Sequence, residues 1–92
     1  MTREEMFELI NDRYVKYDPR DISNIMGITM YQKDLTAHVG QRGNGWSLHI
    51  WQNHQSLFAR GCTDGNPMNV QEVINTLDSY FERKTTEQMA LF

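Results

Sequence analysis

Tyr31, His38, His49 and Trp51 stand at alternating positions of two-residue-period segments, so they fall on the outward face of a sheet, with Phe58 and Arg60 placed beside them in a later segment. Rings, imidazoles and a guanidinium together make a stacking platform for single-stranded nucleic acid, where each stacked base contributes about 1–3 kcal/mol. The same side chains also suit cross-strand pairs that stabilise a small sheet or meet a protein partner. His38, His49 and Cys62 are the residues that could converge on zinc, but they lack close paired spacing, and no metal or cofactor is expected. Gly40-Gln41-Arg42-Gly43-Asn44-Gly45 is glycine-rich yet bridges two strands and opens no helix, which suits a hairpin and not a phosphate cradle. Asp64 and Glu72 flank a turn and a helix start, where the helix dipole favours acids without any chemistry. No HExxH, no GxSxG and no cysteine beside an activating base is present, so no catalytic residue is assigned and the chain is read as non-enzymatic.

A second group lies at the end of the chain. After Thr85-Thr86-Glu87, a polar stretch without a structural signal, come Gln88, Met89, Ala90, Leu91 and Phe92. Chain ends are usually polar and frayed, so three large apolar residues in the last four positions need a groove, either on their own domain or on a partner. This pentapeptide resembles the motif by which bacterial polymerases and repair proteins bind the DNA sliding clamp: Gln, usually Leu, a small or acidic residue, Leu, Phe. Gln88, Leu91 and Phe92 match the defining positions, Met89 stands in for Leu, and Ala90 is small without the more usual polar side chain. Physically, Leu and Phe enter an apolar cleft while a Gln amide fixes register through its donors and acceptor. Burying both side chains contributes about 1.5–3 kcal/mol each before ordering costs, enough for a micromolar tether.

The resemblance implies a small accessory or regulatory protein of DNA replication or repair, with the sliding clamp as partner. Its size and motif would suit a phage or mobile element. The alternative is a module that binds single-stranded nucleic acid or another replication protein through the sheet face, with the tail structural.

Composition bounds both readings. Ninety-two residues of 10.8 kDa allow one domain and leave little room for a deep cavity. A net charge of −3 argues against affinity built on phosphate neutralisation alone. The charge is uneven, however: residues 22–62 carry three basic and one acidic side chain and all three histidines. Cys62 is the single cysteine, which excludes an internal disulfide and suits a reduced compartment. No apolar run approaches a membrane span and residues 1–11 lack the pattern of a signal peptide, so a cytoplasmic location is expected.

The elements that position these residues follow from periodicity. Thr2 and Glu5 have capping-box spacing, and Met6, Phe7, Ile10 and Tyr14 recur at helical intervals, giving a helix over 2–14 that Asp18-Pro19 stops. Ile28 and Met30 alternate with Thr29 and Tyr31. Leu35, Ala37 and Val39 alternate with Thr36 and His38, and Trp46, Leu48 and Ile50 with Ser47, His49 and Trp51. Asn44-Gly45 signals a two-residue turn that would set Val39 opposite Ile50 and His38 opposite Trp51. A fourth strand is expected over 57–62. A second helix over 68–84 starts at Asn66 or Asn69 and carries Val70, Val73, Ile74, Leu77 and Phe81, with Arg83 and Lys84 at its negative end. The expected fold is α+β: a two-layer sandwich in which an antiparallel sheet of three or four strands carries the N- and C-terminal helices on one face. A single domain would span 1–84 and a docking tail 85–92.

Overall fold

A computed structural model describes residues 1–17 and 19–84. Thr2 opens α1 (Arg3–Arg13): its hydroxyl accepts from the Glu5 backbone N–H at 3.1 Å, and the Glu5 carboxylate accepts from the Thr2 N–H at 2.7 Å. The N–H groups that a helix start leaves without backbone partners are in part satisfied this way. Asn69 and Glu72 form the same reciprocal box at the start of α2 (Val70–Tyr80), which selects Asn69 over Asn66 as the cap.

The second helix ends earlier than expected. Phe81 takes extended backbone (φ −111°, ψ 143°), and the chain after it pairs with the chain after α1. The Val15 N–H donates to the Glu82 carbonyl at 3.0 Å and the Lys84 N–H to the Arg13 carbonyl at 2.8 Å. The Phe81 N–H still donates to the Leu77 carbonyl at 2.8 Å, and beyond it these bonds replace the helical ones that residues 82–84 would have made. Phe81 is nonetheless buried, its ring meeting Tyr14 edge-on with centroids 6.4 Å apart. Arg83 and Lys84 therefore belong to an extended segment and not to the helix end.

Five antiparallel strands, and not three or four, form one sheet in chain order: β1 (Ile22–Asn24), β2 (Gly27–Gln32), β3 (Leu35–Arg42), β4 (Gly45–Gln52) and β5 (Gln55–Arg60). At three residues, β1 is too short to show an alternation. Links of two residues join β2 to β3, β3 to β4 and β4 to β5, each beginning on a left-handed residue: Lys33 (φ 58°), Gly43 (φ 56°) and Asn53 (φ 55°), ten positions apart.

The β3–β4 turn thus uses Gly43-Asn44, one residue before the expected pair. Arg42 faces Gly45, Val39 faces Leu48 and His38 faces His49. A slip of two leaves the alternation intact, so every side chain keeps its expected face. Gly45 is drawn into the strand by its neighbour: a Cβ there would lie 2.9 Å from the Met68 carbonyl oxygen, and Met68 pairs with Trp46 through two backbone bonds of 2.8 Å.

One face of the sheet receives both helices. Met6 and Ile10 from α1 and Val73 and Leu77 from α2 are buried with Ile28, Val39, Leu48 and Ile50 in one apolar cluster. Sheet and stripe each cover the surface the other could not leave in water, which is the two-layer solution for an amphipathic helix. Among the described residues no helix is long and apolar enough to cross a membrane.

Candidate binding face

Tyr31, His38, His49 and Trp51 all lie on the sheet face away from the helices, as their alternation predicts. Two rows cross this face. Thr29, His38, His49 and Ala59 are successive partners in one, and Tyr31, Thr36, Trp51 and Ser56 in the other. Tyr31 and Trp51 are two strands apart, about 10 Å, too far to stack on each other and open to separate ring partners.

Arg60 does not join them. It faces Leu48 on the helix side, where its guanidinium binds the Glu72 carboxylate at 2.7 Å and the Asn66 carbonyl at 3.2 Å. Phe58 likewise faces Ile50 and packs against the core. The cause is a bulge at Ile50/Trp51: Phe58 opposes Ile50 but Ser56 opposes Trp51, so Leu57 is an extra residue. One extra residue moves every later side chain to the other face.

Each remaining group is held by a local partner. His38 Nδ1 lies 3.2 Å from Thr29 Oγ1, and His49 Nε2 lies 3.0 Å from Ser56 Oγ. The rings of His49 and Trp51 meet at 63° with centroids 4.8 Å apart, which fixes the indole. The Arg20 guanidinium stands 4.3 Å over the Tyr31 ring. Trp51 and His49, with Asn53, His54 and Ser56, line a cavity of about 310 Å³ at the β4–β5 hairpin. Asn53, His54 and Ser56 are not among the residues expected at a site from the sequence. Their signal is the polar run Gln52-Asn53-His54-Gln55 between two alternating segments, which marks the hairpin that brings them to Trp51.

Although His38 and His49 are direct cross-strand partners, their rings engage different hydroxyls, and Cys62 Sγ is 3.9 Å from the Arg60 carbonyl oxygen. Among the described residues no three ligating side chains converge on a metal position. The Asp64 carboxylate closes a turn by accepting from the Gly61 and Asn66 N–H groups at 2.9 and 3.0 Å. Glu72 serves the cap of α2 and the pair with Arg60; the Asn69 N–H first, and then Arg60, hold its carboxyl below the ordinary range. Gln88, Met89, Ala90, Leu91 and Phe92 lie outside the described residues.

None of the twelve acidic residues of the chain lies in any of the five strands, whereas Arg42 and Arg60 do. The face therefore presents rings, hydroxyls and imidazoles without a strand carboxylate among them. In class, the chain is an α+β domain with a helix-covered sheet whose second face carries the candidate site. Comparison with known proteins finds no matching family model, no matching curated protein and no matching solved structure.

Proposed function

We propose that this chain is a small, non-enzymatic accessory or regulatory protein of DNA replication or repair, cytoplasmic, that docks on the bacterial DNA sliding clamp through Gln88, Met89, Ala90, Leu91 and Phe92. The pentapeptide itself carries the reading. The described residues are compatible with it: the apolar cluster includes Phe81, and the Lys84 N–H donates to the Arg13 carbonyl, so the fold holds the chain up to the residue before the polar stretch that leads to the motif. In this reading residues 1–84 are the domain and 85–92 the docking segment, which raises the local concentration of the domain at the clamp. A synthetic peptide of residues 85–92 is expected to bind a purified bacterial sliding clamp with micromolar Kd and to lose binding when Leu91→Ala and Phe92→Ala are combined. A peptide that does not bind overturns the reading.

A second reading is favoured by the acid-free sheet and the cavity beside Trp51: the domain binds single-stranded nucleic acid or a protein partner through the face bearing Tyr31, His38, His49 and Trp51. The two are compatible, since a clamp tether would deliver such a face to DNA.

A further inference from the structure

We infer that the cavity at the β4–β5 hairpin takes one base of a single-stranded nucleic acid, stacked on Trp51 and held at its edge by Asn53 and Ser56; this rests on the second reading above. Shape and chemistry point the same way. The cavity is a shallow depression of about 310 Å³, open to solvent, in which a flat ring can lie against the indole. Its apolar surface is an indole whose orientation His49 already fixes, so little side-chain entropy remains to be lost on stacking. Around the indole stand a carboxamide with donors and acceptor, a hydroxyl and two imidazoles, the groups that pair with the edge of an unstacked base.

Charge on the strands does not oppose a polyanion, although the Asp34 carboxylate, 2.7 Å from Gln52 Nε2, and the Asp21 carboxylate, 2.8 Å from the Tyr31 backbone N, flank the face. No strand carries a carboxylate, so a phosphate backbone crossing the sheet meets no acidic strand side chain. From Trp51 the row runs over Thr36 to Tyr31, giving the strand a path with a second ring at its far end. No residue of the pentapeptide at 88–92 enters this assignment.

The test is fluorescence anisotropy of labelled DNA and RNA strands of roughly 12 nucleotides at low salt, with the full chain. Trp51→Ala is expected to weaken binding about tenfold or more while Trp51→Phe, which keeps a ring, retains most of it; thermal unfolding of both variants verifies the fold. If Trp51→Ala binds as the parent does and Tyr31→Ala abolishes binding, the cavity is not the base site, although the second reading stands. If the parent protein binds neither strand, both the inference and the second reading fail. A free nucleoside monophosphate that competes as well as the strand overturns the assignment to a strand.

Discussion

Gln32 is buried, and its one side-chain amide joins three parts of the chain. Its Nε2 donates to the Val15 and Glu82 carbonyls at 2.8 and 2.9 Å, while its Oε1 accepts from the Glu82 N–H at 2.6 Å. The amide thereby seals β2 against the two segments that follow the helices. Gln32→Leu orphans these backbone groups, and urea unfolding should register a loss of about 3 kcal/mol. Asp78 links the helices in a similar way, accepting from Arg13 Nη2 at 2.6 Å and from the Tyr14 hydroxyl at 2.8 Å. The Arg13 bond first, and then that of Tyr14, hold its carboxyl below the ordinary range. Its contribution is therefore full above about pH 4 and is lost as pH falls further; Asp78→Asn should cost about 1–3 kcal/mol at neutral pH and flatten the acid limb of a stability–pH curve. Burial, and then Asp78, raise the Tyr14 phenol, so its contribution is full below about pH 10 and is lost above that. None of these roles was legible in the sequence, because the partners of Gln32 and Asp78 stand 17 to 65 positions away.

Both helix starts were legible, since a capping box is a four-residue pattern that needs nothing distant. The end of α2 was not: what stops it is pairing with the segment after α1, a contact between the two ends of the described chain. For the strands, alternation placed Tyr31, His38, His49 and Trp51 on the correct face even though the β3–β4 register was off by two, because a slip of two preserves the faces. Arg60 was misplaced because a bulge changes the face with no marker in composition. Turn chemistry yields a direct comparison at this scale. Gly43 is left-handed with nothing within 4 Å of a Cβ, so Gly43→Asn should change stability by less than about 1 kcal/mol. Gly45→Ala would press a methyl against the Met68 carbonyl at 2.9 Å and should cost about 1–3 kcal/mol, read by thermal or urea unfolding of the two variants side by side.

Across the whole molecule, the acids lie outside the strands and the rings of the candidate face lie on the sheet. A net charge of −3 thus conceals a face with no strand carboxylate, formed by the alternate residues of the strands that include Tyr31, His38, His49 and Trp51. Among the described residues the apolar cluster runs from Met6 to Phe81. In the proposed division of labour, residues 1–84 fold and present the sheet face while residues 88–92 dock. Comparing the full chain with a chain ending at Glu87, by thermal unfolding and by binding to a purified bacterial sliding clamp, separates folding from docking in a single experiment. Equal unfolding temperatures and loss of clamp binding in the shortened chain are expected. A shortened chain that still binds the clamp, or a full chain that never does, would contradict the proposed docking role of residues 88–92.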